Sequence, residues 1–442
     1  MKTNTTPNAR LIKRSLSSVW HPCSQMKHYA SFPLVPISRG QGAWLYDFDG
    51  NKYLDTVSSW WVNLFGHCNP RINEAIRSQL ETLEHVMLAG FTHEPVVELS
   101  ERLRELAPEG LGHCFYGSDG ASATEIALKM SAHYWRNSGK PAKTQFLSLE
   151  NSYHGETLGA LSVTDVALFR DAYGPLIRQQ ATVASPDSRN AAEGESSQAF
   201  ALRCADALEL HLQRHHTQIA AFIIEPLVQG AAGMAMYHPV YLQRARQLCD
   251  QYAVHLIADE IAVGMGRTGT MFACEQGGIS PDFLLLSKGI TGGYLPLSIV
   301  MTTESIYQEF YADKIAHGFL HSHSYTGNPL ACRAALATLD IFASDNIVVA
   351  NRQKSSYLNG IAEDLRGMPA VKNWRNTGMI WAFEVDSPHA DFAQRCFQLA
   401  LKHELLLRPM GNTVYFMPPY ILSNAEIQHL LKCTRLVVEA LA

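Results

Sequence analysis

Strand-sized apolar runs alternating with stretches of helical periodicity constrain this chain more than any other feature. The runs are Cys114-Phe-Tyr, Gln145-Phe-Leu-Ser-Leu, Ala220-Ala-Phe-Ile-Ile, His255-Leu-Ile-Ala and Phe283-Leu-Leu-Leu. Such alternation calls for crossover helices over a mostly parallel sheet. Two of the runs end in charge: one closes on Asp259, the other on Ser287-Lys288-Gly289. A charge near the interior costs desolvation, so packing alone does not explain either residue. An amine and a carboxylate at the carboxyl ends of parallel strands stand where open α/β sheets bind ligands. That pairing suits pyridoxal phosphate: the amine forms a Schiff base with the aldehyde, and the carboxylate keeps the pyridine nitrogen protonated. Taken alone, the two positions also fit a Lys and an Asp at unrelated loop starts.

At 442 residues the chain suits one large and one smaller domain. Its 47% hydrophobic and 17% charged content describes a globular protein with ample core. A formal charge of -5 gives no basic footprint for nucleic acid. The nine cysteines are scattered without a CxxC pair and read as reduced core residues, with no zinc site. No apolar stretch reaches the length of a membrane span. No acidic residue precedes Asp47, and Lys2, Arg10, Lys13 and Arg14 sit among Ser, Thr and Asn. This composition resembles a transit peptide, but the segment is short, and a disordered tail on a cytoplasmic protein is the expectation.

Gly42 to Asp55 reads as a hairpin around an Asp-Gly-Asn turn. From about Asn69 the period becomes helical, with Ile72, Ile76, Leu80 and Leu83 on one face. Past Leu330 a long Ala- and Leu-rich helix leads into an α+β region, with strand candidates at Met379-Ile-Trp-Ala-Phe-Glu-Val and Thr413-Val-Tyr-Phe-Met.

Several short motifs could carry chemistry. Gly117-Ser118-Asp119-Gly120-Ala121-Ser122 lies between a strand and a helix, where small residues let backbone amides approach a phosphate. A plain turn with a Ser or Asp cap fits equally well. Tyr153, in Asn151-Ser-Tyr-His-Gly, can stack on a flat ring or be a buried Tyr with a satisfied hydroxyl, and Glu225 carries the same ambiguity. In His321-Ser-His-Ser-Tyr-Thr326 the hydroxyls suit phosphate better than the His-x-His pair suits a metal, since no third ligand lies nearby. His211, His215 and His216 read as a solvated helix face. Ser58-Ser-Trp60-Trp61 and Leu407-Arg408-Pro409 suit a substrate pocket, with flat apolar walls and a carboxylate grip. Paired Trp residues are, however, more often core.

In this order the segments resemble the class III, fold-type I aminotransferases. The resemblance is carried by Tyr153-His-Gly, Asp259-Glu-Ile-Ala-Val-Gly-Met-Gly-Arg-Thr-Gly, Ser287-Lys288-Gly and Thr326-Gly-Asn-Pro, and runs from about Trp20 to the C-terminus. Trp20-His-Pro, Ser58-Ser-Trp-Trp and Arg408-Pro-Met-Gly-Asn-Thr-Val-Tyr415-Phe-Met-Pro-Pro-Tyr420 narrow it to the branch serving biotin synthesis. The resemblance implies an α/β, fold-type I transferase with a mostly parallel, seven-stranded sheet in a large domain at 67–335. A smaller α+β domain would come from both chain ends, 1–66 and 336–442. It implies that Lys288 is the Schiff-base lysine and proton shuttle, that Asp259 pairs with the pyridine nitrogen, and that Tyr153 stacks on the ring and meets substrate. The amides of Gly120 and Ala121 would bind the phosphate, and Ser324 would offer its hydroxyl from a neighbouring subunit, requiring a homodimer. Trp60, Trp61, Ser322, Arg408 and Tyr415 would contact substrate, with Arg408 on a carboxylate. The implied reaction is ping-pong transamination of 8-amino-7-oxononanoate to 7,8-diaminononanoate, with S-adenosylmethionine or lysine as donor.

Two positions depart from the family pattern. Cys23 stands where a Tyr is common, and a thiol is a poorer donor. His321-Ser-His-Ser324 replaces the common His-Gly-Pro-Thr, and Ser can take over the phosphate contact of Thr. The competing readings are another class III ω-aminotransferase acting on ornithine, 4-aminobutyrate or a diamine, a pyridoxal phosphate aminomutase, and a cofactor-binding protein without catalysis.

Overall fold

The computed structural model describes residues 6–442, and the chain forms two compact units. The first holds the residues up to Pro70 together with Ser356–Trp374 and Ala382–Ala442; the second holds Arg71–Ser355 and Arg375–Trp381. The second unit's main segment begins near the expected 67 but runs on past the expected 335 to Ser355.

The first unit opens with an antiparallel meander, β1 (Ile37–Gln41), β2 (Trp44–Asp47) and β3 (Lys52–Asp55). Asp47 fixes the expected Asp-Gly-Asn turn. Its carboxylate accepts from the amides of Asp49 and Asn51 at 3.0 and 2.8 Å and from the Tyr53 hydroxyl at 2.8 Å. The expected disordered tail is corrected here. Residues 1–5 lie outside the described residues, but Pro7–Ser18 is a helix. Thr6 caps it through the Ala9 amide, proline occupies its first turn, and Asn8 ties it to the meander by donating to Asp47 at 3.0 Å and accepting from the Phe48 amide at 3.0 Å. Composition alone could not register those tertiary bonds.

The second unit is built on β4 (Leu111–Gly117), β5 (Gln145–Leu149), β6 (Ala181–Val183), β7 (Ile219–Ile224), β10 (His255–Asp259), β11 (Phe283–Leu286) and β12 (Ser298–Thr303), with a small ribbon of β8 (Val228–Gln229) and β9 (Ala235–Met236). The seven strands run in the order β4-β12-β11-β10-β7-β5-β6. β12 is antiparallel to both neighbours, and the other pairs along that order are parallel. Ile223, Ile257, Phe283, Leu285 and Val300 of this sheet bury themselves against Ala123, Ile126, Ala127 and Met130 of helix Gly120–Asn137. At about 1.5–3 kcal/mol per large side chain removed from water, this layer is a major source of the unit's stability. Helix Pro70–Leu80 buries Ile72, but Leu80, expected on the same face, is exposed because the helix ends there.

The chain then returns to the first unit. β15 (Leu405–Leu406) adds to β3 in parallel, and β13 (Val371–Thr377), β14 (Ile380–Val385) and β16 (Thr413–Phe416) form a second sheet. The final helix, Asn424–Leu441, starts at a Ser423/Glu426 capping box, and Glu426 also accepts from the Trp44 indole at 2.7 Å. Both chain ends therefore build this α+β unit. Among the described residues no helix is long and apolar enough to cross a membrane.

Candidate active site

Adjacent strands of the second unit bring its two charges together. Asp259 is the last residue of β10 and pairs in register with Leu285 of β11. Lys288 follows β11 in a short 3-10 turn, with φ at 45°, a conformation that non-glycine residues adopt at a cost. Burial lowers the basicity of the Lys288 amine, while the carboxylates of Asp259 and Glu225 pull the other way. Asp259 is buried and oriented on both oxygens. Oδ2 accepts from His154 Nδ1 at 2.7 Å and Oδ1 from the Ile261 amide at 3.1 Å. The Nε2 atom of His154 is buried without a hydrogen-bond partner among the described residues.

Glu225 follows β7, the other neighbour of β10, and is also buried. It accepts from the Tyr153 amide at 3.1 Å and from the Gly230 amide at 2.9 Å. Burial is the largest influence on its carboxyl and raises it to about 7, with Asp259 adding to the rise and His154 opposing it. Tyr153 itself donates to Glu156 at 2.9 Å, and its ring meets Phe169 edge-on at 5.4 Å. Lys288, Asp259 and Tyr153 thus share one neighbourhood with His154 and Glu225. The sequence reading passed over His154 and left Glu225 undecided; His154's position directly after Tyr153 was its only signal.

Gly120 and Ala121 begin helix Gly120–Asn137, capped by Asp119 accepting from the Ser122 amide at 2.8 Å. The amides of a first turn have no intrahelical acceptor and favour an anion. Gly155, at φ +123°, packs the Tyr153 loop onto this start: a Cβ there would lie 2.6 Å from Ala121 Cβ and 2.8 Å from Ala121 Cα. Ser322 and Ser324 are exposed in the loop before helix Pro329–Ser344, which His323 ties to Ser118 at 2.9 Å and Thr326 to the Tyr116 carbonyl at 2.6 Å. Among the described residues no group of His, Cys, Asp and Glu could hold a metal.

The first unit gathers the other expected residues. Ser58, Ser59, Trp60 and Trp61 have φ of 51°, 47°, 73° and 72°, a full turn of left-handed helix without a glycine. Backbone bonds from Trp61 to Val57 at 2.8 Å and from Val62 to Ser58 at 3.0 Å close it. Each such residue costs roughly 1–2 kcal/mol, so the turn costs on the order of 4–8 kcal/mol. Trp61 is buried and donates to the Tyr415 hydroxyl at 3.2 Å, whereas Trp60 is 43% exposed with the Arg408 guanidinium 4.5 Å from its ring centroid. Burial raises the Tyr415 hydroxyl to about 12, so it stays protonated. Cys23 is exposed.

Comparison with known proteins identifies the family. The model of the family "Aminotransferase class-III" matches residues 25–438. A Helicobacter pylori protein named adenosylmethionine-8-amino-7-oxononanoate aminotransferase is 48% identical over 426 residues, 95% of each chain. The crystal structure of a protein of the same name from Methanocaldococcus jannaschii superposes with a TM-score of 0.92 at 34% identity, covering 98% of this chain and 99% of that one. An amine transaminase from an uncultivated Pseudomonas species, solved in its PLP-bound form, gives a TM-score of 0.91 at 31% identity, covering 96% and 99%.

Proposed function

The chain belongs to the class III aminotransferases, and we propose that it transfers an amino group from S-adenosylmethionine to the ketone of 8-amino-7-oxononanoate, forming 7,8-diaminononanoate for biotin synthesis in the cytoplasm. The observation that carries this reading is the Lys288–Asp259 pair on adjacent strand ends, in a chain whose near-full-length relative bears that enzyme's name. The residues fit pyridoxal phosphate: an amine of lowered basicity, a buried carboxylate held by His154, and a helix start whose first amides have no intrahelical acceptor.

When bound, the cofactor supplies an aldehyde carbon to carry the amino group and a ring that draws electrons from the substrate's Cα. Lys288 would take the proton from the substrate's Cα and pass it to the cofactor's aldehyde carbon, C4′, and run the transfer in reverse in the second half-reaction; lowered basicity brings its neutral form closer to ordinary pH. Asp259 holds the proton on the ring nitrogen, and His154 keeps that carboxylate aligned. Tyr153 packs on the ring, and the amides of Gly120 and Ala121 bind the phosphate. Ser324 offers its hydroxyl to a second copy, which makes the homodimer the working unit. The exposure of Ser324 among Ile315, Leu320 and Tyr325, which are 80%, 74% and 68% exposed, supports that assembly. Arg408 grips a substrate carboxylate, while Trp60, Trp61, Ser322, Tyr153 and Tyr415 contact the substrate body.

The test is steady-state turnover of cofactor-loaded protein with S-adenosylmethionine and 8-amino-7-oxononanoate, with the diamine followed by mass spectrometry. Product formation that depends on both substrates and falls by about a hundred- to ten-thousandfold in Lys288→Ala is expected. Turnover of the ketone with lysine alone as donor would keep the acceptor and replace the donor; turnover only with ornithine, 4-aminobutyrate or a diamine would overturn the assignment.

A further inference from the structure

The left-handed turn at Ser58–Trp61 contains no residue that favours its own conformation, so contacts outside the turn must impose it. One side chain makes the most of them. Asp55, at the end of β3, is fully buried. Its Oδ1 accepts from the Ser59 amide at 2.9 Å, and its Oδ2 from the Ser59 hydroxyl at 2.7 Å. Oδ2 also accepts from His67 Nε2 at 3.1 Å, and His67 Nδ1 in turn accepts from Asn63 Nδ2 at 3.2 Å. His67 is anchored by paired backbone bonds with Gly42 at 3.1 and 2.7 Å. Both oxygens of one buried carboxylate are therefore spent on Ser59 and on a fixed imidazole. Beyond the turn, Ser58 donates to the Met417 carbonyl at 2.8 Å.

We propose that Asp55 is a positioning residue that imposes the left-handed turn and thereby sets Trp60 against Arg408 and Trp61 against Tyr415, so that it governs substrate affinity without touching substrate. A right-handed or extended backbone at Ser59 would turn both indoles away from these partners, leaving the Tyr415 hydroxyl and the Arg408 guanidinium without their aromatic neighbours. The carboxylate acts through direction: Ser59 needs an acceptor for its amide and its hydroxyl at once, which a neutral amide side chain cannot provide together with the His67 bond.

This inference rests on the reading that Trp60 and Trp61 meet substrate, and its test separates the two. Asp55→Asn, Asp55→Ala and Asp55→Ala with Ser59→Gly are compared as cofactor-loaded proteins. Two quantities are measured: the substrate concentration giving half-maximal rate, and the limiting rate at which saturating S-adenosylmethionine bleaches the cofactor's visible absorbance. Both single variants should raise the half-saturating concentrations at least about tenfold while the limiting rate stays within about twofold. Glycine adopts positive φ without help, so Ser59→Gly should recover most of that loss in the Asp55→Ala background. If Asp55→Ala does not yield folded protein, Ser59→Ala, which removes only the hydroxyl bond, should raise half-saturation about threefold. Unchanged half-saturation, an equal fall in limiting rate, or failure of the glycine to rescue would overturn the proposal. Absence of turnover by the unmodified protein would instead overturn the functional reading on which it rests.

Discussion

In the proposed reaction Lys288 both links to the cofactor and moves a proton, and the same environment serves both. Burial lowers its basicity so that it can accept a proton, while Asp259 and Glu225 limit the drop. Lys288→Ala should cut turnover by about a hundred- to ten-thousandfold, the range for a lost general base, and abolish the visible absorbance of its covalent link to the cofactor. The bond from His154 to Asp259 leads to a second expectation. Losing a hydrogen bond to a charged group costs about 1.5–3 kcal/mol. His154→Ala should therefore lower the limiting rate or the cofactor affinity by about ten- to a hundredfold, read by single-turnover kinetics and cofactor titration, with the far-ultraviolet circular dichroism unchanged. That Lys288, Asp259 and Tyr153 would lie near one another could be read from the sequence because each ends or follows a strand-like run. His154 could not, since its bond to Asp259 crosses between strand ends far apart in the chain. The turn at Trp60 and Trp61 was equally hidden: left-handed backbone is signalled by glycine or asparagine, and Ser58–Trp61 has neither.

At the scale of elements, the contact between the Tyr153 loop and the start of helix Gly120–Asn137 makes Gly155 decisive. Gly155→Ala would force a methyl to within 2.8 Å of Ala121 Cα at a φ of +123°. Overpacking of this kind costs about 1–3 kcal/mol. A lower melting temperature and weaker cofactor binding are expected together, by thermal melts with and without pyridoxal phosphate; an unchanged cofactor affinity would separate the loop from the phosphate cradle. Five of the seven strands in the large sheet were legible from apolar runs. β6 is three residues long and gives no periodic signal, and β12 returns antiparallel directly after the Lys288 turn, with no crossover helix to announce it. The helix at Pro7–Ser18 escaped for a related reason: its bonds to Asp47 and Phe48 are tertiary.

Across the whole molecule, the acid response should carry the mark of His255. It sits at the start of β10 against Trp135 and Phe283, with Ser131 2.9 Å from Nδ1, and burial drives it down to about 4. Unfolded, it titrates near 6.5. Between those values the unfolded chain binds more protons at this position, so the contribution of His255 to stability falls as pH drops from about 6.5 toward 4, by on the order of 3 kcal/mol, while the raised carboxyl of Glu225 contributes in the opposite direction. The melting temperature of His255→Gln relative to that of the unmodified protein should accordingly rise as pH drops from 7 to 5. Assembly is a second whole-molecule property: sedimentation should give a dimer, and Ser324→Ala should weaken cofactor binding without dissociating it. The most direct measurement of the central claim is a half-reaction. S-adenosylmethionine is added alone to the cofactor-loaded protein, the visible absorbance is followed, and 8-amino-7-oxononanoate is then supplied. Bleaching by the donor and recovery with the ketone is the predicted result. An absorbance that neither S-adenosylmethionine nor lysine bleaches, and that the ketone does not restore from the pyridoxamine form, would contradict it.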